Sequence, residues 1–205
     1  GYKKALVVLK EGYSIDQASE LSNLSIPTIR RYFRLFRLNI VKTFDFKPEN
    51  NVQVDEAYFG QFKKQANYLH GFRTYIVSEK TGVVGISCPT TGQLTTKIIG
   101  SHPGQSINEF IFQNVSKNII IYSDASYFYR NLRKYQYSHF SMSHDRGFDY
   151  SYYIESCWSW MKRRLFKQYH HFTRKYAKEY VSELTWHFNT RKNDKNPLDC
   201  LSKSL

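Results

Sequence analysis

The sequence predicts an α/β layered domain preceded by a small helix-turn-helix. Three observations lead there. Residues 3–38 carry helical apolar spacing and many arginines, strand-like apolar runs begin at Val52, and two long helical patterns, about Tyr152–Tyr169 and Arg174–Asn193, close the chain.

The elements follow in order. "EGYSIDQASELSNLSIPTIRRYFRLFR" holds two short apolar-periodic segments around "SNLS". Ile15, Ala18, Leu21 and Leu24 are spaced for one packed face, with Ser14 or Asp16 as the cap of the first helix. The second segment starts at Ser25, has Pro27 in its first turn and carries Arg30, Arg31, Arg34 and Arg37. This is the layout of a helix-turn-helix whose second helix reads a DNA groove. The expected division is a DNA-binding segment over 1–40, a linker over 41–51, an α/β domain over 52–193 and a tail over 194–205.

Within the α/β part, "VQVDEAYFG", "RTYIVSEKTG" and "VVGISCPTT" read as successive strands, with a hairpin turn over Glu79–Gly82. A helix around "SINEFIFQNV" follows, then the buried strand "NIIIYSD", a helix "YFYRNLRKYQY" and a short strand "HFSMSH". In the last helix Tyr176, Tyr180, Leu184 and Phe188 recur every four residues, a core or interface stripe. Arg191 and Lys192 near its end suit either DNA or the helix dipole.

Charge points to a partner. Lys and Arg number 30 against 17 Asp and Glu, a formal charge of +13 over 205 residues, which favours a polyanion and nucleic acid first. Seventeen Tyr and 15 Phe, many beside Lys or Arg, suit backbone neutralisation with base stacking. A solvated basic surface on an ordinary enzyme is the competing reading. Cys88, Cys157 and Cys200 form no CxxC or Cys/His pattern, which argues against a disulfide framework or zinc site and fits a reducing cytosol. No apolar run approaches the roughly 20 residues of a membrane span, and no signal peptide is visible. The chain opens with Gly1 rather than Met, which leaves room for residues upstream.

Three acids carry the chemistry. Asp55 and Glu56 interrupt a strand-like run, and burying a carboxylate costs several kcal/mol unless a partner compensates it. Asp124 ends the strand that contains Ile119, Ile120 and Ile121, a position where α/β sheets bind ligands. Glu155 lies at the edge of the helical stripe Ile154, Trp158, Met161 and Leu165, with Lys162 about 20° from it around the helix. Taken singly, Asp124 also reads as a turn cap and Glu155 as a surface acid. Converging from separate elements, the three suit two Mg²⁺ (or Mn²⁺) ions and phosphodiester chemistry, with Lys162, Arg163 and Arg164 holding the strand. Alternation along a strand sends Asp55 and Glu56 to opposite faces, so Asp55 is the metal ligand and Glu56 a structural or supporting partner.

The segments "VQVDEAYFG", "IIIYSD" and "YIESCWSWMKRRL" resemble, in this order, the Merlin-type DDE transposases and their bacterial insertion-sequence relatives, over about residues 50–193. The resemblance implies an RNase H-like catalytic core, divalent metal and cut-and-paste transposition. Asp55, Asp124 and Glu155 match the catalytic acids, and His144 in "SMSHD" matches a His the family often carries before the last acid's helix. It equally suits a helix cap or surface position. "DYSYY" replaces a polar His-Thr-Asn-like stretch, Asp145 stands where Asn is usual, and the zinc-binding segment often found upstream has no counterpart. The implied partners are terminal inverted repeats and target DNA, engaged by a homodimer or larger assembly. The implied place is the bacterial cytosol, or the nucleus for a eukaryotic source. Two other functions compete: a repurposed, non-catalytic DNA-binding protein and a metal-dependent nuclease.

Overall fold

A computed structural model describes residues 1–40, 45–60, 64–69, 72–77, 80–99, 103–142 and 151–191, with backbone alone for 64–69, 72–77 and 142. The N-terminal part is three helices: α1 (Tyr2–Glu11), α2 (Ile15–Ser22) and α3 (Ile26–Ile40). Ser14 caps α2 as expected. Its Oγ accepts the Gln17 N–H at 3.3 Å, while Gln17 Oε1 accepts the Ser14 N–H at 3.1 Å. Asn23, at φ 57°, closes α2 in the left-handed region and lets the chain turn into α3. Leu6, Leu9, Ala18, Ile29, Phe33 and Phe36 form the bundle's core. Leu21 is not part of it: the side chain is 61% exposed, and Ser22 turns inward instead, its Oγ donating to the Ala18 carbonyl at 2.6 Å.

The rest of the chain runs β1 (Asn51–Phe59), β2 (Lys64–Leu69), β3 (Phe72–Val77), β4 (Thr81–Cys88), β5 (Gln93–Ile98), α4 (Pro103–Asn114), β6 (Ile120–Asp124), β7 (His139–Met142), α5 (Tyr152–Tyr169) and α6 (Ala177–Thr190). The main sheet has the order β5-β4-β1-β6-β7. β4 is antiparallel to β1 and β5 to β4, while β6 and β7 continue parallel to β1. An antiparallel half joined through a crossover helix to a parallel half, with helices on both faces, is the RNase H-like fold. Alternation along β1 feeds both faces. Val52 and Val54 pack with Ile107 and Ile111 of α4, whereas Ala57 and Phe59 pack with Trp158 and Met161 of α5 and Leu184 of α6.

Three sequence expectations change. "RTYIV" does not pair with the strand after it: β3 pairs with β2 in a separate two-stranded sheet, and β4 pairs with β1 and β5. Of the expected turn, Glu79 lies outside the described residues. The expected helix over "YFYRNLRKYQY" is instead two 3₁₀ turns, Tyr127–Tyr129 and Leu132–Tyr135. Aromatics are poor helix formers, and both Tyr129 and Leu132 must reach the core, which short turns permit. β5 was not expected; its Thr-rich sequence suits a partly buried edge strand.

The helical bundle is docked on α6 through a buried polar network. Arg37 Nε donates to Glu183 Oε2 at 2.5 Å, the Tyr169 hydroxyl donates to Glu183 Oε1 at 2.7 Å, and the Arg37 guanidinium lies 4.0 Å from the Tyr180 ring centroid. Arg164 Nη2 reaches across to the Leu9 and Lys10 carbonyls at 3.3 and 2.9 Å, the negative end of α1. Among the described residues no helix is long and apolar enough to cross a membrane.

Candidate active site

The site is built where the β1–β6 pairing stops, midway along β1 and at the last residue of β6. Their parallel register runs Asn51–Ile120, Val52–Ile121, Gln53–Tyr122 and Val54–Ser123. Asp55 and Asp124 are the next residues on the two strands and share one face, since paired residues of parallel strands point the same way. Strands in a sheet lie about 4.8 Å apart. The face is that of α5, whose first turn carries Glu155.

β1 also fixes α5. Gln53, two residues before Asp55 and on the same face, accepts the backbone N–H of Tyr153 and of Ile154 through Oε1, each at 3.0 Å. A buried side chain of the sheet thereby satisfies two of the orphan donors at the helix start. One turn beyond Glu155, the Trp158 indole N–H donates to Asp55 Oδ2 at 3.0 Å. The residue paired with Asp55 on β4 is Gly85, and a Cβ there would lie 2.5 Å from Trp158 Cη2. Gly85 makes room for the indole, and the indole orients Asp55. Sequence reading missed Gln53, Gly85 and Trp158 as site residues; the one available signal was Trp158 three positions after Glu155, which reads as core.

Asp124 ends its strand in a turn, with Oδ1 accepting the Ser126 N–H at 2.9 Å. Glu56 points to the opposite face, where the buried Tyr129 hydroxyl donates to its Oε1 at 2.7 Å. Glu155 is exposed, and its Oε1 accepts a bond from the Ser151 hydroxyl at 2.6 Å. Among the described residues no three Asp, Glu, His or Cys side chains stand close enough together to hold one ion. His144 lies outside the described residues.

Electrostatics still mark the strand ends. Burial raises the Asp55 carboxyl above its ordinary range; the Glu56 amide and the Trp158 N–H oppose that rise, and the Asp124 and Glu155 charges add to it. Burial likewise lifts Glu56 to about 7, against the Tyr129 hydrogen bond and with help from Asp55 and Asp124. Both carboxyls thus sit where burial disfavours their charge and neighbouring acids add to the cost, which a bound cation would relieve. An all-oxygen donor set of Asp55, Asp124 and Glu155 fits Mg²⁺ or Mn²⁺. Cys88 and Cys157 are buried free thiols, and burial pushes the Cys157 thiol up to about 12, which disfavours its thiolate.

The expected DNA contacts divide. Arg30, Arg31 and Arg34 of α3 and Lys162 and Arg163 of α5 are exposed. Arg37 is not available to DNA: it sits on the α3 stripe with Phe33, Phe36 and Ile40, in its ion pair with Glu183. Arg164 is likewise committed to the end of α1, with Nη2 also 3.2 Å from His187 Nε2. Both are struts between the bundle and the sheet domain.

The sequence resembles no curated protein closely enough to match. Among solved structures, the catalytic core domain of BIV integrase aligns at 13% identity over 76% of this chain and 95% of that one, with a TM-score of 0.44. A pre-cleavage Mos1 transpososome aligns at 9% identity over 98% and 77%, TM-score 0.39. A Mos1 transposase paired-end complex with left transposon end aligns at 11% over 99% and 78%, TM-score 0.38. The family profile of the ISXO2-like transposase domain matches residues 49–189, which includes β1 from its first residue, β6, α5 and all three acids. Matched over well more than half its length, the chain belongs to the ISXO2-like transposase domain family.

Proposed function

We propose that this chain cleaves DNA at the ends of a mobile element and joins the freed 3′-OH to target DNA, with Asp55, Asp124 and Glu155 as ligands of two Mg²⁺ or Mn²⁺ ions. The observation that supports this reading is that Asp55 and Asp124 each follow the last registered pair of two adjacent parallel strands, on the face of the helix that bears Glu155. Such ions, when bound, activate the attacking oxygen and stabilise the charge on phosphate and leaving oxygens. Asp55 is oriented for its task by Trp158, and Glu155 by the Gln53 anchor that sets where α5 begins. Glu155 has to leave Ser151 to join the aspartates, a rotamer change at an exposed side chain. His144 is a further participant on the strength of its sequence position alone.

Lys162 and Arg163 of α5 are proposed to hold the phosphate backbone beside Glu155, and Arg30, Arg31 and Arg34 to read the terminal inverted repeat. Two ends must be paired for transposition, so the working form is a dimer or larger assembly. The test uses the full chain, Mn²⁺ and a duplex bearing a terminal repeat of the source element. Nicking at the repeat boundary followed by strand joining is expected, and Asp124→Asn abolishes both. Nicking without joining assigns a nuclease; DNA binding with no nicking, or equal nicking by Asp124→Asn, overturns the reading.

A further inference from the structure

The β1–β6 register ends at Val54–Ser123, one residue short of the two aspartates. The β1–β6 ladder thus stops just short of the acids, although Asp55 is still registered with Gly85 of β4. On its far side Asp124 is registered with Met142 of β7. Toward β1, the link is made by side chains. The chain leaves Asp124 through the Ser126 N–H bond to Asp124 Oδ1 and enters the 3₁₀ turn Tyr127–Tyr129. The last residue of that turn is buried in the core on the α4 face, and its hydroxyl bonds Glu56 Oε1, next in sequence to Asp55. Asp55, Glu56, Tyr129, Ser126 and Asp124 therefore form a chain of covalent and hydrogen bonds from β1 to β6, closed on its other side only through the Val54–Ser123 register.

We propose that Glu56 and Tyr129 are positioning residues that set the separation of Asp55 and Asp124, and that they govern metal affinity from the opposite face of the sheet without touching the metal. The proposal rests on the reading of the two aspartates as metal ligands. It gives the second acid of "DE" a purpose that a ligand role cannot, because Glu56 faces away from Asp55. The plainer role of the pair, satisfying a buried phenol, predicts lost stability with metal binding unchanged in the protein that remains folded.

The test compares the full-length wild type with Tyr129→Phe, Glu56→Ala, Glu56→Gln, the double variant Tyr129→Phe/Glu56→Ala, and Asp124→Asn. Mn²⁺ binding is read by electron paramagnetic resonance under conditions where circular dichroism shows each variant folded. Tyr129→Phe and Glu56→Ala are each expected to weaken Mn²⁺ binding by about tenfold, the lower end of the effect of groups that orient ligands. The double variant is expected to be no weaker than either single one. Glu56→Gln keeps an oxygen that accepts the phenol and is expected to stay near wild type. In the nicking assay the loss appears as a higher Mn²⁺ requirement with the KM for DNA unchanged. Wild-type affinity in folded Tyr129→Phe or Glu56→Ala, or additive losses in the double variant, overturns the positioning role while Asp124→Asn still loses its metal. If Tyr129→Phe does not fold, the contrast between Glu56→Ala and Glu56→Gln decides alone. Mn²⁺ binding unaffected by Asp124→Asn sinks the catalytic reading itself, and this inference with it.

Discussion

Replacing Glu183 by Gln isolates the charge that docks the helical bundle. The carboxylate is fully buried, meets Arg37 at 2.5 Å and Tyr169 at 2.7 Å, and lies 3.6 Å from His187 Nε2. Gln has nearly the same volume, so no cavity term enters. What is lost is compensation of the Arg37 guanidinium, which is buried and whose Nη2 has no hydrogen-bond partner among the described residues. Breaking one side of a buried pair costs about 3–5 kcal/mol. The carboxyl's own state gives a similar figure. Burial alone would raise it, yet Arg37, His187 and Tyr169 hold it down at about 2, against an ordinary 4.5. That displacement corresponds to on the order of 3 kcal/mol. Urea unfolding of the full chain at pH 7, extrapolated linearly, measures the loss. The double change Arg37→Met/Glu183→Leu removes both charges and is expected to be far less destabilising than Glu183→Gln alone. A cost below about 1 kcal/mol for Glu183→Gln would refute the view that this pair carries the docking.

Acid should undo the same junction. Burial holds His187 at about 4, below its ordinary 6.5, and the nearby Arg164 adds to that while Glu183 opposes it. The unfolded chain therefore takes up a proton on His187 between about 6.5 and 4 that the folded chain refuses, and Glu183 continues the loss from about 4.5 down to 2. Glu56, lifted to about 7, works the other way between about 7 and 4.5, so the loss is read in a Glu56→Gln background. There stability is expected to fall as pH drops through both windows; a flat thermal midpoint of that variant from 7 to 4 would contradict this. Gly85→Ala is expected to displace Trp158, costing about 1–3 kcal/mol from overpacking and weakening Mn²⁺ binding through Asp55, with chemical denaturation and metal titration as readouts. Arg30→Ala and Arg34→Ala should lower affinity for terminal-repeat DNA, with the salt slope falling by about 0.9 for each phosphate that is no longer neutralised. Arg37→Met should change stability and leave that slope unchanged, as fluorescence anisotropy across salt concentrations will show.

The candidate site stands out in the sequence because a buried acid is costly. An Asp at the end of an apolar strand and an acid within a strand are costly without a purpose, so Asp55 and Asp124 stand out from the residues alone. Helix α5 matches its expected span, since Ile154, Trp158, Met161 and Leu165 give a clean periodic stripe. Arg37 misleads because its burial depends on Glu183, 146 positions away, though its place beside Phe33, Phe36 and Ile40 is a local sign. Gln53 and Gly85 are invisible for a related reason. Their roles exist only once β4 and α5 are laid against β1, and neither residue type advertises a partner.

The central claim is that Asp55, Asp124 and Glu155 together hold divalent metal for DNA cleavage. The most direct measurement counts Mn²⁺ ions bound per full-length chain in the presence of terminal-repeat DNA, for the wild type and Asp124→Asn. The account predicts two ions for the wild type and loss of tight binding in the variant. Equal stoichiometry and equal affinity in the two proteins would contradict it.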